Sequence, residues 1–204
     1  MNKVIFSLAV VAGLFASSQA TIAFNNFGPN GEFQTGSGAT IGGSGSSVGY
    51  ISQGNGFTSA ASGQITAMTI AYGWVNGTNS TTFNLYQDSA GSVGALMASW
   101  NVANSPNFGS GSTITINNVN PAATLVNGNA YWLIAEAATD SWQAWNFNSI
   151  GDVGPTALRS NPNDPYGTTT GDRSAFKVEV VPEPATMSLL GIGLVSLALR
   201  RRKK

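Results

Sequence analysis

The chain has 204 residues, nine basic and nine acidic side chains, and neither histidine nor cysteine. Without histidine it lacks the commonest general base and the commonest transition-metal ligand, and without cysteine it forms no disulfide. Between residues 21 and 180, three cations face eight acids, whereas binding to nucleic acid needs clustered Lys and Arg. We therefore expect a protein that binds no nucleic acid and no cofactor.

Catalytic side chains are also scarce. A serine nucleophile needs a base, and Lys177, the one lysine between residues 21 and 180, falls in an alternating strand pattern. Paired carboxylates can cleave glycosides, but none of the three glutamates of this region has a recognisable setting: Glu32, Glu136 and Glu179. The sequence thus favours a protein that is not an enzyme.

The first 20 residues have the three parts of an export signal. Lys3 supplies a positive charge, residues 4–15 are apolar, and the sequence SQA at residues 18–20 is a small-x-small cleavage site. This pattern is typical of a secretory signal peptide, so we expect signal peptidase to cut after Ala20. The alternative, an uncleaved anchor, is disfavoured because the apolar run is short.

The next segment, residues 21–56, is rich in Gly, Ser and Asn. Such a composition is typical of a flexible linker or of loops between short strands. Brief strands are predicted at residues 22–24 and 48–51. Disorder is expected only around residues 36–47, where glycine and serine are densest.

From residue 64 onward the pattern is that of β-strands, because apolar and polar residues alternate. Asn76-Gly77 is a hairpin-type turn signal, the continuously apolar stretch 130–135 is predicted to be central, and residues 150–172 are predicted to be a long loop. Short strands with Gly and Asn turns predict one all-β domain over residues 21–180, a β-sandwich that is jelly-roll-like. The predicted strands are 65–74, 82–87, 96–102, 112–119, 130–135, 142–147 and 174–181.

The last segment, residues 181–204, again has three parts. Pro182, Glu183 and Pro184 open it, an uncharged apolar run follows at residues 187–199, and five cations close the chain: Arg200, Arg201, Arg202, Lys203 and Lys204. The run is short for a membrane span, which needs about 20 residues, and terminal cations hold a C-terminus in the cytoplasm. We expect a short transmembrane helix that is retained only transiently. A buried C-terminal helix is the alternative.

This tail resembles the PEP-CTERM sorting signal of Gram-negative bacteria, which combines a Pro-Glu-Pro motif, a short transmembrane helix and a basic cluster. The resemblance implies recognition by exosortase, a membrane-embedded processing enzyme, and cleavage near Pro182, Glu183 and Pro184. It also implies transient residence in the inner membrane, followed by release to the cell surface or to the extracellular matrix.

The middle of the chain carries a second resemblance. The sequences FNLYQD at 83–88, GSVGAL at 91–96 and VNGNAYWL at 126–133 are similar to choice-of-anchor surface domains, type R in particular. This resemblance implies a secreted β-sandwich and provides no catalytic residues.

Two groups of residues are candidates for ligand binding. Exposed Trp142 or Trp145, with Asp140 nearby, would stack on a sugar ring and bond its hydroxyls. Because three residues separate the two tryptophans, they face opposite sides of a strand, and we expect one to be core. Asn161, Asn163 and Asp164 offer oxygen ligands for calcium, but Asn and Asp are ordinary turn residues, and the sequence favours the turn over a metal site.

These observations predict an exported, non-enzymatic cell-surface or matrix protein that is sorted by exosortase and associated with exopolysaccharide or biofilm. The alternative is a carbohydrate-binding module of jelly-roll type in the exopolysaccharide matrix.

Overall fold

The computed structural model describes residues 19–117, 119 and 122–182. Over this part of the chain the fold is all β, apart from a single 3-10 turn at Pro29–Gly31, so the predicted all-β class is confirmed. Among these residues, no helix has the length and apolar character needed to span a bilayer. The predicted signal peptide up to residue 18 and the predicted helix 187–199 lie outside the described residues.

Fourteen strands follow one another in the described part of the chain. They are β1 (Thr21–Asn25), β2 (Phe33–Gly42), β3 (Ser52–Thr58), β4 (Gly63–Ile70), β5 (Tyr72–Asn76), β6 (Ser80–Ser89), β7 (Ser92–Ala103), β8 (Ile114–Asn117), β9 (Thr124–Leu125), β10 (Ala130–Ala137), β11 (Trp142–Asn148), β12 (Val153–Arg159), β13 (Gly167–Asp172) and β14 (Phe176–Val181).

The strands form three sheets. The five-stranded sheet has the order β1-β14-β4-β8, with β9 also paired to β4; the six-stranded sheet has the order β13-β12-β3-β10-β6-β7; the three-stranded sheet is β2-β11-β5. The predicted central strand, β10, does lie inside the six-stranded sheet, between β3 and β6. The β6-β7 hairpin turns at Ala90 and Gly91, both at positive φ, the conformation that a two-residue hairpin turn requires.

The five-stranded and three-stranded sheets are joined by hydrogen bonds at one point. Ala71 N–H donates to Ala175 O (3.1 Å), Ala175 N–H donates to Asn146 O (2.8 Å), and Asn146 N–H donates to Ala71 O (2.8 Å). Ala71 and Ala175 are completely buried, so their short side chains fit where the sheets meet. The predicted single strand 65–74 is therefore divided at Ala71 into β4 and β5.

One core lies between the six-stranded sheet and the other two. Phe83 of β6 packs against Trp145 of β11 with ring centroids 5.6 Å apart, and Trp145 packs against Phe176 of β14 at the same distance. Aromatic contacts of this kind bury large apolar areas in specific geometry. All three sheets thus contribute to the same hydrophobic cluster, and no disulfide is needed.

The predicted disorder around residues 36–47 is wrong. Residues 36–42 belong to β2, which pairs with β11. A Cβ on Gly38 would lie 2.5 Å from Trp145 O, and one on Gly43 would lie 1.9 Å from Ala138 O. Glycine serves here to let two backbones approach closely, which composition alone does not distinguish from flexibility.

The predicted long loop 150–172 is also wrong, because it contains the hairpin of β12 and β13. Pro155 lies within β12, but β12 pairs with β3 only from Thr156 onward. The missing N–H of Pro155 therefore costs no ladder bond to β3. Asn76-Gly77, predicted as a hairpin turn, instead connects β5 and β6, which lie in different sheets.

Candidate functional sites

The start of the tail is fixed to the five-stranded sheet. Val180 of β14 pairs with Thr21 of β1, and Val181 pairs with Gln64 of β4. The strand ends at Val181, and Pro182 is the last described residue. Of the predicted processing motif only Pro182 is therefore seen. Glu183, Pro184 and the basic residues Arg200, Arg201, Arg202, Lys203 and Lys204 lie outside the described residues.

The two predicted sugar-binding tryptophans differ in exposure. Trp145 is completely buried, and its indole N–H donates to Ala175 O at 3.0 Å. Trp142, three residues earlier on β11, is only partly buried. Trp145 therefore offers no face to a ligand, whereas Trp142 is partly accessible to one. Asp140 is exposed, and a hydrogen bond from Thr78 lowers the pKa of its carboxyl group.

The predicted calcium ligands lie in an exposed turn between β12 and β13. Asn161 Oδ1 accepts a hydrogen bond from Asn163 N–H (3.1 Å), and Asn161 O accepts one from Asp164 N–H (3.1 Å). The turn thus uses the oxygens of Asn161 itself. Within the described ranges, no group of three or more Asp, Glu, His or Cys is placed to hold a metal ion, so a calcium site stays a prediction without a supporting contact.

A charged and aromatic network lies on the outer face of the six-stranded sheet, the face opposite the core. We call Tyr50, Glu136, Arg159 and Tyr166 the tyrosine–arginine network. Arg159 forms an ion pair with Glu136 and donates from Nη2 to Tyr50 OH (2.8 Å). Tyr166 OH donates to Glu136 Oε1 at 2.7 Å, and Arg159 Cζ lies 4.4 Å from the centroid of the Tyr166 ring. The two charged side chains remain 18% and 28% exposed.

The arrangement of the strands in the six-stranded sheet brings these side chains together. Leu133 and Ala135 of β10 point into the core, so Glu136 points to the outer face because side chains alternate along a strand. Arg159 ends β12, and Tyr166 immediately precedes β13. Trp132, Ile134 and Ala157 form a small apolar cluster on the same face.

The network favours a neutral phenol at Tyr166 and a charged guanidinium at Arg159. Burial raises the pKa of Tyr166 above its ordinary value, and the Glu136 carboxylate adds to the rise. Burial acts to lower the pKa of Arg159, but the Tyr166 and Tyr50 phenols and Glu136 outweigh it and leave that pKa raised. Arg159 Nε is buried and has no hydrogen-bond partner among the described residues.

Such an arrangement can bind a polyhydroxylated ligand. Tyrosine rings give flat apolar faces with a polar edge, and the ion pair provides donors and acceptors for hydroxyl groups. Sequence reasoning missed the network because its residues are far apart in the chain and two of them fall in the segment 150–172, predicted as loop. One signal was available: Arg159 is one of only three cations between residues 21 and 180.

Comparisons with known proteins identify one feature of this chain. Residues 180–203 match the model of a family described as the PEP-CTERM protein-sorting motif. No curated protein matches the chain. Among solved structures, the fold is similar to that of the cysteine protease and lectin-like domains of Cwp84, a surface layer associated protein of Clostridium difficile, with a TM-score of 0.45 and 9% identity. That similarity covers 65% of this chain and 32% of the other, so this chain spans about a third of that structure.

Proposed function

We propose that this protein is an exported, non-enzymatic surface or matrix protein whose tail is processed by exosortase. The match of residues 180–203 to the sorting motif supports this proposal. The observation that carries it is the position of the motif relative to the fold: β14 ends at Val181, so cleavage after Pro182 removes none of the strands that the structure describes. The released product would keep its complete core, a β-sandwich of jelly-roll type related to the choice-of-anchor domains.

Export would proceed in two steps. Signal peptidase removes residues 1–20 as the chain crosses the inner membrane. The apolar run 187–199 then stops transfer, and the five terminal cations hold the C-terminus in the cytoplasm. A run shorter than a full span is retained weakly, which suits a transient stage before exosortase acts.

The test replaces Pro182, Glu183 and Pro184 with alanine and compares the size and membrane fractionation of both proteins in hosts with and without exosortase. We expect the original chain to be shortened and released only where exosortase is present, and the alanine variant to remain a membrane-bound precursor. If the two proteins fractionate identically and both keep their tails beside exosortase, the tail is a plain membrane anchor and the proposal is wrong.

A second candidate function is binding of the surrounding exopolysaccharide, and the tyrosine–arginine network favours it. The network combines aromatic rings with a paired carboxylate and guanidinium on one sheet face. Tyr86 extends it, since its ring centroid lies 6.2 Å from that of Tyr166. Sites of this composition bind sugars through ring stacking and hydroxyl hydrogen bonds.

A polysaccharide pull-down with residues 21–182 tests this second function. We expect Tyr50→Ala to weaken binding to the exopolysaccharide of the producing organism, while Trp142→Ala serves as the matched aromatic control. The reverse result would move the site to Trp142 and Asp140. Full retention by both variants, or no retention by the original domain, would refute sugar binding.

A further inference from the structure

The tail leaves the domain through a defined rim. We use the name exit rim for residues 59–63 and 124–129, which lie on one side of the end of β14: Gly63 adjoins Val181 and Pro182, and residues 124–125 pair with β4 on its far side. Leu125 pairs with Gly63, and a Cβ on Gly63 would lie 2.4 Å from Val181 O and 2.9 Å from Pro182 N. The backbone at the start of the processing motif is therefore in contact with the rim.

The two halves of the exit rim are bonded to each other. Asn127 N–H donates to Ser62 Oγ at 2.9 Å, Gly128 N–H donates to Ser59 O at 2.8 Å, and Ser59 N–H donates to Asn129 O at 3.0 Å. These bonds fix the rim as part of the folded domain. A protein that approaches Pro182 therefore meets a preformed surface.

The exit rim carries no charged side chain, and Val126 exposes 49% of its surface there. The groove beside it, about 540 Å³, reaches Asp88. That carboxylate is already bonded by Trp132 Nε1–H (2.8 Å) and Gly91 N–H (2.9 Å). Contact with the rim thus requires no desolvation of a free charge. The central parts of protein interfaces are likewise depleted of charged residues.

The length of the tail brings this surface to the membrane. Only residues 183–186 separate Pro182 from the apolar run that starts at residue 187. A fully extended chain spans at most about 3.6 Å per residue, so this connection is shorter than about 15 Å. An enzyme that holds Glu183 and Pro184 at the membrane surface therefore works close to the end of β14, where the exit rim forms one flank and β1 the other.

We propose that the exit rim is a docking surface for exosortase, with Val126 as its apolar contact. This inference rests on the proposed function and adds a second determinant to the Pro-Glu-Pro motif. The folded domain then takes part in its own processing, because the enzyme recognises the motif together with the sheet end from which it emerges.

The test measures the rate of tail removal from the full chain in an exosortase-containing host. Val126→Glu and Val126→Lys each place a charge in the contact, and we expect either to slow processing by about tenfold or more. Ile150→Glu is the matched control, since Ile150 is also apolar and 55% exposed. Ile150 lies near the opposite end of β14, where the side chain of Asn148 donates to Arg173 O. That variant is expected to be processed at the original rate.

A flexible spacer between the domain and the motif distinguishes a loss of docking from a defect in folding or export. Insertion of about eight Gly and Ser residues between Val181 and Pro182 gives the motif a flexible reach, so Val126→Glu in the spaced chain should be processed like the spaced chain itself. A variant that stays slow with the spacer would show a folding or export defect and overturn the proposal.

The remaining outcomes are distinct. An original chain that is never processed refutes the proposed function itself. Processing of the original chain with unchanged rates for both Val126 variants refutes only the docking surface. If Val126→Glu is slow and Val126→Lys is not, the rim contacts the anionic lipid surface, and docking on exosortase is wrong.

Discussion

Replacing each tryptophan of β11 by alanine tests which of the two side chains belongs to the core. Trp145 is completely buried and packs on Phe83 and Phe176, with ring centroids 5.6 Å apart in both pairs. Loss of a buried tryptophan costs about 3–5 kcal/mol. We expect Trp145→Ala to fall within this range: Ala175 O loses the indole donor but keeps the hydrogen bond from Ala71 N–H, so the lost packing accounts for the cost.

Trp142 provides the comparison within the same strand. Its side chain is only partly buried, so we expect Trp142→Ala to lower the free energy of unfolding by about 1 kcal/mol, as is usual away from the core. Domains of this size are stable by about 5–15 kcal/mol. Trp145→Ala should therefore remove a large fraction of the stability, and Trp142→Ala a small one.

The assay is urea unfolding of residues 21–182, followed by circular dichroism so that the loss of a fluorophore does not affect the signal. The slope of the transition should be unchanged in Trp142→Ala. Equal destabilisation by the two variants, or a larger effect of Trp142→Ala, would refute the assignment of Trp145 to the core.

Two further predictions concern Gly77 and Tyr72. Gly77→Ala should destabilise the domain by more than about 1 kcal/mol, because a Cβ would lie 2.0 Å from Asp140 O. Gly128 is also at positive φ but has no atom within 4 Å of a Cβ, so Gly128→Ala should cost only the backbone strain. Equal melting temperatures for the two alanine variants would contradict this prediction. Burial raises the pKa of Tyr72, with a weaker opposing effect of the Thr81 hydrogen bond, so the stability from its neutral phenol is complete below pH 10 and is lost as the pH rises above it. Tyr72→Phe should therefore unfold less readily than the original domain above pH 10, and identical alkaline unfolding curves would disprove it.

The strands that were predicted correctly are those with strong local signals. Alternation along residues 82–87 and 96–102 reports one buried face, and β6 and β7 follow it. The errors arise where the determining contact is distant in sequence. A side chain at Gly38 is excluded by the backbone of Trp145, and Pro155 stands one residue before the point at which β12 begins to pair with β3. Neither contact has a local signature.

The same limit applies to the candidate sites. The sorting motif is contiguous, so the sequence alone identified it, and the family comparison matches residues 180–203. The tyrosine–arginine network is assembled from β10, from β12 and from the residues that precede β3 and β13, and its members become neighbours only when the sheet forms. Spacing along the chain predicted that Trp142 and Trp145 face opposite sides, but it gave no means of deciding which one is buried.

The position of β14 has a consequence for the order of folding. This strand lies between β1 and β4, so the first and last described strands are hydrogen-bonded neighbours. Pairing across such a sequence separation is intrinsically slow, and Phe176, Val178 and Val180 enter the core only with β14. A chain that crosses a membrane from its N-terminus therefore cannot complete this core until β14 has crossed. The chain thus stays unfolded enough for translocation until the tail itself reaches the bilayer.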